Sequence, residues 1–263
     1  MNDNIYKVRD VISVIEDFAP LSLQEKWDNS GLCVGSPDDK VTSVLVGLDC
    51  TGALVDEAIA CGADMIITHH PLIFSGLKRI CPEDPVGNAV IKAVKAGISI
   101  YAAHTSADKV MSGVSGAMAL RLGLQGIEIL DDEGEGFGLG AVGNLPEPLD
   151  CEQAISMVKE RFNLKAMRAS RSFEGKVSRI AMCGGSGKSL IPAARAAGAQ
   201  LYISADIPYH DFFTEGDFMI MDIGHYESEI EIVDILFSLL RKNFPTFAVR
   251  ITQNIYSNPI FYY

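Results

Sequence analysis

Basic residues are scarce in this chain. It has 22 Lys and Arg against 34 Asp and Glu, a formal net charge of -12. Affinity for nucleic acid comes from Lys and Arg that displace counterions. No cluster of them occurs, so nucleic acid is not an expected partner. Long apolar runs are also missing: no stretch of about eighteen such residues is present, so no membrane-spanning helix is expected. The first residues, MNDNIYKVRDVISVIEDF, follow an amphipathic helix pattern. They lack the apolar core and small-residue cleavage site of a secretory signal. The six cysteines include no CxxC pair. In a chain of this length they read as reduced thiols of a cytoplasmic protein, most of them small core residues. Hydrophobic residues at 48% and charged residues at 21% predict a packed core rather than disorder.

What is present alternates. Residues 7–18 predict a helix that Pro20 stops. SVLVGL (43–48) reads as a buried strand, and GALVDEAIAC (52–61) as a helix ended by Gly62. A second strand follows at 64–68, a helix at 87–96 closed by Gly97, a third strand at 98–103 and a helix at 113–122. Strands alternating with helices of this length indicate βαβ units and a largely parallel sheet. The texture then changes. DDEGEGFGLGAVGNLPEPL (131–149) is rich in Gly, Pro and acidic residues, which predicts a boundary, or the entry to a smaller unit, rather than a core element. A helix at 151–162, a strand at 177–182 and a last helix at 226–241 complete the pattern, with a short strand-like tail. The expected division is one α/β domain from residues 1–130 with 226–263, and a smaller one from 131–225.

The chain also repeats itself. VTSVLVGLDCTGALVDEAIACGADMIIT (41–68) aligns without a gap on VSRIAMCGGSGKSLIPAARAAGAQLYIS (177–204). Leu54 falls on Leu190, Gly62–Ala63 on Gly198–Ala199, and Thr68 on Ser204. ISIYAAHTSAD (98–108) likewise resembles MIMDIGHYESE (219–229). Each is an apolar strand running into a histidine with a carboxylate four residues on: His104 with Asp108, and His225 with Glu229. Two βα units look alike by default. The shared histidine and carboxylate go further. They predict a pseudo-duplicated α/β protein, with mixed sheets flanked by helices and a site between its halves.

Ligands of parallel α/β sheets bind at the carboxyl ends of strands. Four of the five histidines fall there: His69, His70, His104 and His225. Pro71 disfavours helix at His70, so the paired histidines should stay extended with side chains pointing to opposite sides. That suits two neighbouring ions better than one. His225 and Glu229 lie one helical turn apart and can face one point. Imidazoles with carboxylates suit Zn, Fe, Mn, Co or Ni rather than Ca or Mg. Two such ions ~4 Å apart can activate a water between them. A single histidine is more often a core or surface side chain; the recurrence at equivalent strand ends is what favours metal. His210, in IPYHDFF, is a weaker candidate, either a pocket residue or a helix cap. GGSGKS (184–189) sits where a phosphate loop would lie, but the first glycine of that motif is replaced by Met182. A Gly-rich βα turn with at most a weak anion contact is the expected reading.

HHPLIF after an apolar strand, HTSAD after the next, GHYESE near the end, WDNSGLCVG (27–35) and the strand–GGSG–helix segment (181–187) together resemble the NGG-interacting-factor-three-like family, often labelled GTP cyclohydrolase 1 type 2-like. The resemblance spans essentially the whole chain. It implies two similar α/β halves, a dinuclear metal site and a hexameric toroid. It implies His69, His70, Asp108, His225 and Glu229 as ligands to two divalent transition-metal ions, with Glu229 as the bridge and His104 as a nearby pocket residue. The chain departs from the family at Ala205–Asp206, where relatives often carry Gly-Asp, and it resembles the compact members without an inserted domain.

The expected activity is metal-dependent hydrolysis of a nucleotide or phosphorylated small molecule, with His104 and Glu229 at the reacting centre and His104 or His210 passing protons. The alternative is a non-catalytic metal-binding scaffold or metal-trafficking protein, which would show a closed ligand set with no open position. A phosphate-loop nucleotidase, the third reading, would depend on Lys188.

Overall fold

The computed structural model describes residues 6–253 and 258–262. The first five residues of the N-terminal helix pattern, and Tyr256, Ser257 and Tyr263 of the aromatic tail, lie outside the described residues. The chain opens with strand β1 (Tyr6–Lys7) and helix α1 (Val8–Phe18), then β2 (Gly31–Val34), β3 (Lys40–Val41) and β4 (Ser43–Asp49). Alternation follows: α2 (Gly52–Cys61), β5 (Met65–His70), α3 (Pro85–Ala96), β6 (Ser99–Ala102) and the single turn α4 (Thr105–Asp108). Next come α5 (Val114–Arg121), β7 (Gln125–Gly134), β8 (Phe137–Leu149), α6 (Cys151–Arg161), β9 (Arg168–Ala169) and β10 (Val177–Ser186). The last elements are α7 (Ile191–Ala196), β11 (Leu201–Ala205), β12 (Met219–Asp222), α8 (His225–Glu229), α9 (Glu231–Asn243) and β13 (Ala248–Ile251). Among the described residues, no helix is long and apolar enough to cross a membrane.

The chain divides into two compact units, Met1–Ala107 with Ile232–Pro259, and Asp108–Glu231 with Ile260–Tyr263. In the first, five strands lie in the order β13-β4-β5-β6-β2. All neighbours are parallel except β2, which runs antiparallel to β6. β4 is buried along almost its whole length, as a parallel strand covered on both faces requires. Leu45, Ile66 and Ile100 from successive strands pack with Leu54, Val55 and Ala58 of α2 and Ala89, Val90 and Ala93 of α3. The caps follow local chemistry. Thr51 accepts from the Leu54 amide and Asp84 from the Gly87 amide, while Gly62 and Gly97 close their helices in the left-handed conformation.

The second unit holds six strands in the order β7-β8-β10-β11-β12-β9. β10, β11 and β12 are parallel; β7, β8 and β9 run antiparallel to their neighbours. Ala181, Tyr202 and Ile220 meet Leu190, Ala194 and Phe218 in its core. Each unit therefore contains the same succession. β4-α2-β5, then β6 and α4, matches β10-α7-β11, then β12 and α8.

Three local expectations are corrected. Residues 131–149 are not a boundary: they form most of a long hairpin, β7 and β8. Gly134 and Gly136 take positive φ at the turn of the hairpin, while Gly138 serves close approach. At Gly138 a Cβ would overlap the Asp131 carbonyl, so only glycine lets these strands pair so tightly. The helix expected at 226–241 is two helices, α8 and α9, separated at Ile230. The strand expected at 64–68 continues through both histidines to His70, because Asp49 at the end of β4 is still in register with it.

Candidate functional site

In the first unit the site begins where three parallel strands end. β4 ends in Asp49, β5 in His69 and His70, and β6 runs directly into His104. His69 is fully buried and His104 is 8% exposed. Each of these histidines offers one ring nitrogen, and the three atoms lie within 4.8 Å of one another. The His69 and His70 rings are 4.9 Å apart at their centroids. Strand alternation thus fails to separate them as expected.

The other ring nitrogen of each histidine is committed. Nδ1 of His69 lies 2.8 Å from the Ala103 carbonyl oxygen, Nδ1 of His70 lies 2.8 Å from Oδ1 of Asp49, and Nδ1 of His104 lies 2.7 Å from Oδ1 of Asp28. Carbonyl and carboxylate oxygens accept and do not donate, so each Nδ1 carries a proton. In a neutral ring that leaves the Nε2 lone pair as the only ligand position. Asp28 is held firmly in its accepting form. Burial alone would raise its carboxyl, but hydrogen bonds from His104, Thr105 and Ser30 outweigh burial and hold it well below the usual carboxylate range.

The second unit builds a comparable group from the equivalent strand ends. Gly224 follows β12 and starts α8, which places His225 and Glu229 one turn apart on it. Nε2 of His225 and Oε2 of Glu229 are 3.0 Å apart, and Glu229 is 3% exposed. Nδ1 of His225 again meets an acceptor, Oδ2 of Asp206, at 2.7 Å. Asp206 follows β11 and sits at φ 53°, a left-handed conformation that Asp tolerates better than most residues. Asp108 ends α4. Around Cys183, burial pushes the thiol up, and the carboxyls of Asp108 and Glu229 push it the same way.

The Gly-rich loop is the wall of this group. A Cβ on Gly185 would occupy the space taken by the Glu229 carboxylate. The Gly185 amide donates to Ser228 Oγ at 2.9 Å, and its carbonyl accepts from Ser204 Oγ at 3.0 Å. The Gly187 carbonyl accepts from the Tyr202 hydroxyl at 2.7 Å. The Gly184 and Gly185 amides are thus spent on Ser115 and Ser228, unlike the amides of a loop that cradles phosphate. His210 stands elsewhere, exposed beside Tyr209 and stacked on Phe213 at 6.4 Å.

Of the six candidate residues, His69, His70 and His104 belong to the first unit, and Asp108, His225 and Glu229 to the second. Sequence reasoning missed Asp28, Asp49, Asp206 and Gly185. Asp28 lies in WDNSG and Asp206 in the Ala205–Asp206 step, so both were in view without a role.

Mixed sheets flanked by helices, carrying histidine and carboxylate groups able to hold a metal ion, define the class of this α/β protein. The chain belongs to the Duf34/NIF3 (NGG1p interacting factor 3) family, whose profile matches residues 6–259. It is 38% identical over 226 residues to a GTP cyclohydrolase 1 type 2 homolog of Lactococcus lactis, covering 84% of this chain and 86% of that one. A protein of the same description from Clostridium acetobutylicum is 34% identical over 228 residues, 85% of each chain. Among solved structures, a Staphylococcus aureus hypothetical protein superposes with a TM-score of 0.91 at 26% identity, over 99% of this chain and 100% of that one. A Bacillus cereus protein related to NIF3 gives 0.88 at 25% identity, over 98% and 99%.

Proposed function

We propose that the chain is a metal-dependent hydrolase. In this reading His69, His70, Asp108, His225 and Glu229 hold two divalent transition-metal ions, and the substrate is a nucleotide or another phosphorylated small molecule. The observation that carries the reading is the commitment of Nδ1 in His69, His70, His104 and His225 to an oxygen acceptor. Outer contacts of this kind fix the tautomer and aim of metal-ligating histidines. Buried carboxylate and imidazole together fit Zn, Fe, Mn, Co or Ni. When bound, such ions supply Lewis acidity and lower the pKa of a held water.

The chain's own residues supply the rest. His104 is oriented by an ionised Asp28, which fixes the proton on Nδ1 and leaves Nε2 to exchange a proton with the substrate. Asp49 and Asp206 keep His70 and His225 from rotating. The description shared by the relatives, GTP cyclohydrolase 1 type 2 homolog, supports a nucleotide as the first substrate to try. A ring-shaped oligomer of this chain belongs to the same proposal.

Elemental analysis of tag-free protein tests the reading, alongside a His69→Ala/Glu229→Ala double variant. About two ions per chain, lost in the double variant, and turnover of GTP or a phosphoester that disappears with the metal are the expected results. Metal without turnover across nucleotides and phosphoesters would leave a metal-binding scaffold. Absence of bound metal and of metal uptake in the wild type would overturn the reading altogether.

A further inference from the structure

Trp27 is the chain's single tryptophan, and 58% of it is exposed. The residues after it are tightly held. The Asp28 amide donates to the Glu25 carbonyl, the Asp28 carboxylate takes bonds from His104, Thr105 and Ser30, and Nδ2 of Asn29 donates to the Ile73 carbonyl at 2.6 Å. The loop is thus tied to His104 on one side and to the segment after His70 on the other, while the indole faces solvent. Phe74, 53% exposed, is its companion. The two ring centroids are 5.8 Å apart with planes inclined by 35°. Both rings meet the His104 imidazole near edge-on, at 5.9 and 6.0 Å.

Large aromatic rings left in water on an anchored loop, beside a group of buried imidazoles, mark a place where a ligand can be received. At 5.8 Å the two rings already touch, so no third ring passes between them. A planar ring stacked on either one lies near His104, whose ring is 5.9 and 6.0 Å from theirs, and His104 belongs to the three-imidazole group with His69 and His70.

We propose that Trp27 and Phe74 form a stacking platform for the planar heterocycle of the substrate, holding its reacting end beside the His69, His70 and His104 imidazoles. The proposal rests on the hydrolase reading and narrows it, since substrates without an aromatic ring would gain nothing from the platform. Stacking tolerates any nucleobase, because each presents a π-face. Choice among bases would then come from edge contacts elsewhere.

The single tryptophan makes the test direct. Metal-loaded protein is titrated with guanosine, GTP and ribose 5-phosphate while Trp27 emission is recorded, and metal content is measured on the same samples. Saturable quenching by guanosine and GTP, with none by ribose 5-phosphate, is the expected result. Phe74→Ala should weaken guanosine binding about five- to hundred-fold, and calorimetry on Trp27→Ala should show a comparable loss. Phe213→Ala, in the separate exposed aromatic group, should change nothing. Unchanged affinity in Phe74→Ala and Trp27→Ala, with full metal content, would overturn the platform and leave the metal reading intact. Quenching by guanosine in wild-type protein that holds and takes up no metal would leave the platform standing, the metal measurement having overturned the hydrolase reading. Blue-shifted emission inaccessible to acrylamide would show Trp27 covered by another copy of the chain, and would also overturn the platform.

Discussion

Gly185 has no room for a side chain because the carboxylate of Glu229 fills the space beside its Cα. The glycine also sits at φ 60°, where an L side chain is strained. Gly185→Ala should therefore cost about 1–2 kcal/mol in stability and move the Glu229 carboxylate. Metal affinity should fall by roughly 10- to 100-fold. Denaturant unfolding and metal titration check the two effects separately. A variant that binds metal like the wild type would show that Glu229 does not depend on this wall.

Asp206 should matter through His225 and not through the fold. Asp206→Ala removes the acceptor from Nδ1 and should lower metal affinity by roughly 10- to 100-fold. Asp206→Asn keeps an amide oxygen able to accept and tolerates the left-handed backbone, so it should lose less. Equal losses in the two variants, measured by metal titration, would mean that the 2.7 Å contact does not orient the ring.

Asp28 gives the stability a definite pH signature. Its carboxyl is held below its unfolded value, so it contributes stability above about pH 4. That contribution is lost as pH falls toward the folded value. Asp28→Asn should be less stable than the wild type by about 1.5–3 kcal/mol at pH 7, the scale of hydrogen bonds to a charged group. The gap should hold down to about pH 4 and narrow below it. Urea unfolding across pH 3–7 reads the difference; a gap that closes already by pH 5 would contradict the assignment.

Lys188 is the residue on which a phosphate-loop nucleotidase would depend. Here it pairs at the surface with Asp211 at 3.1 Å. Lys188→Ala should change stability by less than about 1 kcal/mol, with nucleotide affinity and metal content as in the wild type. Loss of nucleotide binding would restore the phosphate-loop reading.

The legible parts of this chain were those written by local physics. Buried parallel strands announce themselves as apolar runs, and Gly62 and Gly97 mark helix ends where the left-handed conformation is required. The candidate histidines were legible because strand ends are where ligands meet such sheets. Their acceptors were not. Asp49 reaches His70 through strand register, and Asp28 reaches His104 across 76 residues; neither spacing is periodic. The hairpin β7–β8 was misread because Gly and Pro usually interrupt structure. Here Gly134 and Gly136 make the turn and Gly138 admits close strand pairing, which no composition reveals. The single-turn helix α8 was hidden in the longer pattern at 226–241, because a break at one residue leaves the apolar period almost intact.

Strand β13 pairs in parallel with β4, and the bond from Ser43 Oγ to the Ala248 carbonyl joins residues 205 positions apart. On the ribosome, then, β4 waits with an open edge until residues 248–251 have emerged. The second unit, from Asp108 to Glu231, has almost all of its partners within one continuous stretch. Vectorial synthesis and loop-closure entropy both favour the contiguous unit. The half of the protein that begins first is therefore completed last, when its final strand arrives.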